Sequence, residues 1–258
     1  MPMPRRARRE SATGFYHIVS RGLGRENIFG EKREKTRFLN LLQENLEEYN
    51  VKVYAYCVMS NHFHLLVKVE KEIMPVFMAK ILGRYAKYYN YKHYRTGYVF
   101  ENRYKTQCIE DEAYFWSCLR YIHMNPVKAK ICNDVIKYEY SSGREYAMKK
   151  KNRCILCQEA LELYEMKFNN EKAFEIYHNG KNKELFLDVK EEEFGQYIEL
   201  AWEMLWEMQE QKSVQALEVL QFAESRVQFE NIVKENLGVS KSCARKIRKQ
   251  IERELQTI

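Results

Sequence analysis

The first 130 residues contain two kinds of apolar spacing. Four short stretches carry apolar residues in alternation or in continuous runs, which is typical of β-strands; they are residues 15–20, 51–59, 62–69 and 105–109. Three longer stretches repeat apolar residues every three or four positions, which is typical of amphipathic helices; they are residues 31–49, 74–94 and 113–124. The third helix is expected to end near Asn125-Pro126, because the residue before a proline avoids the helical region.

The order strand, helix, two strands, helix, strand, helix predicts an α+β fold. The two middle strands are separated by Ser60-Asn61 alone, and two residues are enough to connect antiparallel strands. We therefore predict a ferredoxin-like antiparallel sheet with helices packed on one face, within a domain of residues 1–148.

The pattern changes after residue 148, where strand signals stop. Residues 149–195 are rich in glutamate and predict linker helices, and residues 196–258 predict a helical C-terminal region. Its last part reads as a helix, a turn at Gly238-Val239, a capping Ser240 and a final helix. Two interpretations stand side by side: a helix-turn-helix that enters the major groove of DNA, and a helical hairpin with a solvated basic face.

Charge and composition narrow the classes of partner. The chain of 258 residues has a net charge of +7, with the basic excess in residues 1–150 and 232–258 and an acidic excess between them. This distribution favours a polyanionic partner, nucleic acid first. Seven scattered cysteines indicate reduced thiols, and no stretch reads as a membrane span or a signal peptide. We expect a cytoplasmic protein that has no membrane partner.

Two short segments carry candidate chemistry. His62 and His64 lie two positions apart on a predicted strand and so share one face, which makes half of a metal site, although ordinary strand histidines have the same spacing. Tyr121 and Asn125 are four residues apart on the third predicted helix and share a face, whereas His123 points to the opposite side. If that helix packs over the strand, two imidazoles and an amide oxygen could hold a divalent cation beside a phenol.

Three segments together resemble a known family: SNHFHLLV (60–67), YYNYKHYRTGYVFENRYKT (88–106) and RYIHMNPVKA (120–129). They are similar to the HUH single-tyrosine transposases of the insertion-sequence-200 type, especially the REP-associated tyrosine transposase branch, and the similarity covers about residues 10–147. The resemblance implies that His62, His64 and Asn125 bind a divalent metal, Mg²⁺ or Mn²⁺, and that Tyr121 is the nucleophile.

The resemblance also implies an activity. Such enzymes cleave single-stranded DNA next to a hairpin, leaving a 5′-phosphotyrosine and a free 3′-hydroxyl that can reverse the bond without ATP. The partner would be single-stranded or hairpin DNA, and a homodimer stays open. The extension beyond residue 148 departs from the minimal transposases, so the enzyme could be mobile or retained by its host. Two other classes remain: a non-catalytic regulator that binds DNA hairpins, and an RNA-binding ferredoxin-like module that stacks bases on its sheet.

Basic side chains in three regions are predicted to contact DNA phosphates. They are Arg5, Arg6, Arg8 and Arg9 in an N-terminal arm, Arg84, Arg103, Lys105 and Arg120 in the α+β domain, and Lys241, Arg245 and Arg248 in the last helix. The remaining histidines are not predicted to be ligands: His123 is expected to be structural or to touch DNA, and His17, His93 and His178 are expected to be ordinary.

Overall fold

The computed structural model describes residues 9–148, 155–180, 190–212 and 215–255. It divides into two compact units, Met1–Leu187 and Asp188–Ile258. The first unit therefore extends beyond the domain boundary predicted at residue 148. Three predicted DNA contacts of the basic arm, Arg5, Arg6 and Arg8, lie outside the described residues. Over the described ranges, no helix is both long enough and apolar enough to cross a bilayer.

A four-stranded antiparallel sheet forms the centre of the first unit. Its strands are β1 (Phe15–Arg21), β2 (Lys52–Val58), β3 (His62–Lys68) and β4 (Lys105–Ile109), in the order β2-β3-β1-β4. The backbone N–H of Met59 donates to the carbonyl of His62 at 2.9 Å, which closes the predicted two-residue turn. The α+β class and the ferredoxin-like arrangement are confirmed.

Helices cover both faces of this sheet. They are α1 (Lys32–Leu46), α2 (Ile73–Lys92) and α3 (Glu112–Lys128). On one face, Phe63 packs on Phe38 of α1 with ring centroids 4.5 Å apart, and Phe38 meets Tyr85 of α2. The next residue of β3, His64, points to the other face and contacts Tyr121 of α3. Helices α1 and α2 cover one face as predicted, and α3 packs in addition on the other face, where His64 is fully buried.

Helix α3 continues through its proline. The sequence predicted an end near Asn125, whereas the helix runs to Lys128 with Pro126 inside it. Pro126 has no N–H to give to the carbonyl of Ile122, four residues earlier. The amide nitrogen of Asn125 donates to the carbonyl of Tyr121 at 3.0 Å and reaches that of Ile122 at 3.5 Å. This side chain therefore compensates in part for the hydrogen bond that the proline removes.

Three further helices complete the first unit: α4 (Ser142–Met148), α5 (Gln158–Lys167) and α6 (Glu171–His178). A buried polar chain links α3, α4 and α6. His123 Nδ1 lies 2.9 Å from His178 Nε2, and His123 Nε2 lies 2.7 Å from the hydroxyl of Ser142. All three residues are buried, so His123 takes the first of its two predicted roles, the structural one. Helices α5 and α6, predicted as linkers, are part of the packed unit.

The buried His178 should make folding stability depend on pH. Burial lowers the pKa of this imidazole from 6.5 to about 4. Between these values the unfolded chain binds a proton that the folded chain excludes, so stability is complete above about pH 6.5 and falls by up to about 3 kcal/mol towards pH 4. Between pH 7 and pH 5, the melting temperature should decrease less steeply with falling pH in His178→Gln than in wild type. Parallel slopes would contradict this account.

The second unit is entirely helical. It contains α7 (Lys190–Lys212), α8 (Ala216–Gln221), α9 (Ala223–Leu237) and α10 (Lys241–Leu255). Gly238 takes a left-handed conformation, with φ of +62°, after α9, and the hydroxyl of Ser240 caps α10 by accepting from the backbone N–H of Cys243 at 3.2 Å. The predicted helix, turn and helix are therefore present.

Two of the predicted phosphate contacts on α10 form ion pairs within the second unit. Arg248 is largely buried and bridges Glu230 and Glu252, and Arg245 pairs with Glu230 at 3.4 Å. Lys241 is exposed at the start of the helix. DNA binding by this helix stays a prediction.

Candidate active site

His62 and His64 lie side by side on β3, on the face that α3 covers. Both are buried, and their ring centroids are 5.0 Å apart with the rings perpendicular. His62 Nδ1 lies 2.6 Å from Oδ1 of Asn61. An amide oxygen can only accept a hydrogen bond, so His62 Nδ1 is the donor. Nδ1 of His62 therefore carries the proton, and Nε2 is the nitrogen whose lone pair can bind a metal.

Tyr121 of α3 packs directly against this histidine face. Its ring centroid is 5.6 Å from that of His64 and 5.9 Å from that of His17, with edge-to-face geometry in both cases. The side chain is only 2% exposed. The arrangement that the sequence predicted, a helix phenol against strand imidazoles, is thus present within a single chain, and a second copy is not needed to bring these groups together.

Asn125 lies one helical turn after Tyr121 and is also buried. Its amide nitrogen is held by the helix carbonyls described above, so the orientation of the amide group is fixed. The amide nitrogen thus supports the helix around Pro126, and the amide oxygen is of the type expected for the predicted metal ligand.

The chemistry of these donors fits the divalent cation that the family implies. His62 and His64 offer imidazole nitrogens and Asn125 offers an amide oxygen, which leaves coordination positions for phosphate oxygens and water. Mg²⁺ prefers oxygen ligands in nearly ideal octahedral geometry, whereas Mn²⁺ accepts imidazole more readily. We therefore expect these residues to hold Mn²⁺ more tightly than Mg²⁺.

A second group of candidate ligands lies elsewhere. Glu31, Glu34 and His93 bring ligand atoms within 4.8 Å of one another, at the ends of α1 and α2. The ammonium of Lys92 lies 2.8 Å from Glu31 and 2.7 Å from Glu34, so a protein cation already forms ion pairs with both carboxylates. Because α1 and α2 cover the sheet face opposite Tyr121, this group is separate from the candidate active site.

Sequence reasoning missed His17, which was expected to be ordinary. Its Nε2 lies 3.0 Å from Nδ1 of His64, and the two rings are stacked with centroids 5.2 Å apart. Burial, and then the neighbouring His64, hold the pKa of His17 well below its usual value. The feature that could have revealed this contact is the strand register, in which Val19 of β1 faces His64. That register places His17 on the histidine face, but it cannot be read from either strand alone.

The predicted phosphate contacts of the first unit have different surroundings. Arg103 and Lys105 are exposed, Arg9 pairs with Glu110 at 3.3 Å, and Arg84 pairs with Glu44 at 2.9 Å. The predicted phosphate contact of Arg120 stays a prediction, for a side chain that is largely covered. Arg120 is only 9% exposed, because α6 packs over it and the guanidinium lies 5.1 Å from the ring centroid of Tyr177.

Comparison with known proteins gives the following matches. Residues 11–125, which include all four candidate site residues, match the family model described as "Transposase IS200 like". The structure of the REP-associated tyrosine transposase bound to a REP hairpin aligns at 14% identity with a TM-score of 0.47, covering 59% of this chain and 90% of that one. A crystal structure from Deinococcus radiodurans R1, named as a transposase, aligns at 14% identity with a TM-score of 0.33, covering 50% of this chain and 92% of that one.

No curated protein matches the sequence. The two structural alignments are too distant to add to the assignment, which depends on the family model and on the site residues within the segment that it matches. Residues 11–125 of this chain therefore match the IS200-like transposase family, which the segments around His62 and Tyr121 already resembled.

Proposed function

We propose that the first unit is a metal-dependent endonuclease and strand transferase for single-stranded DNA, acting through a covalent phosphotyrosine. The observation that carries this proposal is the packing of Tyr121 against His64, with His62 beside it on the same strand face. A phenol that touches a paired-imidazole site is the arrangement that this chemistry needs. The tyrosine is one of 19 in the chain, and it is its neighbours that distinguish it.

The reaction follows from the roles of these groups. A divalent cation bound by His62, His64 and Asn125 would polarise the phosphodiester. The hydroxyl oxygen of Tyr121 attacks phosphorus and loses its proton, the bond from phosphorus to the 3′-oxygen breaks, and the leaving oxygen takes up a proton. The products are a 5′-phosphotyrosine and a free 3′-hydroxyl. Attack by a 3′-hydroxyl on the phosphotyrosine reverses these steps and joins strands.

The fold argues against the RNA-binding alternative. Modules of that class stack bases on an open sheet face. Here α1 and α2 cover one face and α3 covers the other, and the sheet side chains Phe63 and His64 are both fully buried. Over the described residues, the sheet therefore has no open face on which that class of module could stack bases.

A loop beside the site offers bases a place to stack. Tyr91, in the last turn of α2, is 86% exposed, and Tyr94 and Tyr98, in the loop that follows, are 99% and 84% exposed. The loop is ordered by a hydrogen bond from Asn90 to the carbonyl of Gly97 at 2.9 Å. It leads into Glu101, whose N–H donates to the carbonyl of Arg21 at 3.0 Å, and Arg21 is paired with His62 in the sheet. The exposed tyrosines therefore lie a few residues before Glu101, whose backbone contacts β1 next to His62 of β3.

Replacing Tyr98 by alanine should weaken binding of single-stranded DNA. Stacking of a base on an aromatic ring contributes about 1–3 kcal/mol, so a loss of about 5- to 100-fold in affinity is expected. Tyr98→Phe keeps the ring and should bind normally. Fluorescence anisotropy with a labelled oligonucleotide measures the effect, and Val76→Ala, at another exposed apolar residue, is the control. Equal affinity of the alanine and phenylalanine variants would exclude stacking at this position.

The proposed function is tested with DNA hairpins that carry single-stranded flanks. Each hairpin is labelled at its 5′ or 3′ end, incubated with the protein and Mn²⁺ or Mg²⁺, and analysed on a denaturing gel. We expect the 3′-labelled fragment to migrate with the protein and the 5′-labelled fragment to be released. Transfer of the 5′ label to the protein would mean that the tyrosine is joined to the other fragment, contrary to the proposed 5′-phosphotyrosine. Binding without any adduct would favour the non-catalytic regulator.

A further inference from the structure

We propose that His17 is a positioning residue that holds His64 in the ring orientation and protonation form needed to bind the metal. This inference rests on the proposed function, since it concerns the same site. The role depends on contact with His64 and not on contact of His17 itself with the metal or the DNA.

The geometry of the pair is specific. His17 Nε2 and His64 Nδ1 are 3.0 Å apart, the rings are within 19° of parallel, and both side chains are completely buried. Tyr121 contacts both rings with its edge or face. Rotation of His64 about its side-chain bonds would therefore break the contact with His17 and disturb the contact with the proposed nucleophile.

The contact with His17 also occupies Nδ1 of His64, so Nε2 is the nitrogen that remains for a cation. A neutral imidazole carries its proton on one nitrogen and its lone pair on the other. Either nitrogen of this contact can be the donor, and we infer that His64 donates from Nδ1 to His17 Nε2, because only that form leaves the lone pair of His64 Nε2 for the metal. His62 has the same form, because its Nδ1 donates to Asn61. Both ligands would thus offer Nε2, and each would have a protein partner behind it, as metal-binding histidines usually have.

His17 also has side-chain neighbours on the β4 side of β1. Gln107 lies directly opposite it on β4, and the Gln107 side chain interacts with the imidazole. The amide nitrogen of Gln107 donates in turn to the hydroxyl of Tyr114, on α3. Gln107 therefore lies on the β4 side of His17 and His64 on the β3 side, so the imidazole is enclosed between neighbouring strands.

The chain contains a matched control for a merely structural role. His123 and His178 form a second buried imidazole pair in the same unit, with nitrogens 2.9 Å apart. That pair joins α3 to α6, and no ring contact between it and Tyr121 or His64 is seen among the described residues. Loss of either pair should lower the melting temperature, but only loss of His17 should change metal binding.

The test is the affinity for Mn²⁺, measured on the full-length protein by electron paramagnetic resonance without DNA. We expect His17→Ala to weaken binding by about 10- to 100-fold, the usual effect of removing a partner behind a metal ligand. His17→Gln, which can still accept from His64 Nδ1, should recover most of the affinity. His178→Ala should bind as wild type does.

Nitrogen-15 spectra of the metal-free protein provide a second measurement. They should show the His64 proton on Nδ1 in wild type and a mixture of the two neutral forms in His17→Ala. Unchanged Mn²⁺ affinity and an unchanged His64 spectrum in His17→Ala would overturn this inference and leave the proposed function standing. Failure of the wild type to bind Mn²⁺ would overturn both.

Discussion

Tyr121→Phe should abolish the covalent protein–DNA adduct while leaving DNA binding and folding close to those of wild type. The substitution removes only the hydroxyl oxygen, and the ring keeps its contacts with His17 and His64. Without that oxygen, the protein has no attacking group at this position, so adduct formation should fall by at least about 10³-fold. The measurement is the rate of adduct formation with 3′-labelled DNA on a denaturing gel, beside binding by anisotropy.

Two other tyrosines make this test specific. Tyr114 lies seven residues before Tyr121 on α3, which places it on the same face of the helix, so it is the natural competitor for the role of nucleophile. Tyr146 is as buried as Tyr121, and its hydroxyl donates to the carbonyl of Tyr54 at 2.7 Å. Tyr114→Phe and Tyr146→Phe should both keep the adduct. An adduct that survives in Tyr121→Phe and disappears in Tyr114→Phe would reassign the nucleophile.

The features that the sequence predicted well are those encoded within one segment. The hairpin around Ser60-Asn61 follows from two apolar runs and a gap of two residues, and β4 has the predicted bounds, Lys105–Ile109. The shared face of His62 and His64 follows from the period of a strand. The contact of Tyr121 with His64 needed one further step, the packing of α3 on the sheet, and the family resemblance supplied it.

The features that were missed depend on contacts between distant segments. His17 reaches His64 only through the pairing of β1 with β3, and Arg120 is buried only because α6 packs over α3. The end of α3 was misplaced because the rule for proline considers the backbone alone, whereas the side chain of Asn125 supplies a donor. In each case the local pattern was read correctly, and a partner from elsewhere in the chain changed the outcome.

Replacing a proposed metal ligand should have an effect as large as removing the nucleophile. His64→Gln keeps a polar side chain of similar length beside His17 but replaces the imidazole nitrogen with a neutral amide oxygen, which is a weaker metal ligand and lies at a different position from Nε2. Polarisation of a phosphodiester by a cation contributes several kcal/mol, so cleavage should fall by at least about 10³-fold. The measurements are cleavage in the presence of Mn²⁺ and Mn²⁺ affinity, and both should be reduced in His62→Gln as well.

The second candidate group makes this experiment decisive. His93→Gln changes the Glu31, Glu34 and His93 cluster, which lies on the helices covering the opposite sheet face. Lys92 already forms ion pairs with both of those carboxylates, so this variant should retain wild-type cleavage and wild-type Mn²⁺ affinity. Treatment of the wild type with a chelator should stop cleavage, and added Mn²⁺ should restore it. Loss of metal binding in His93→Gln but not in His64→Gln would move the metal to the other face and leave Tyr121 without a cation beside it.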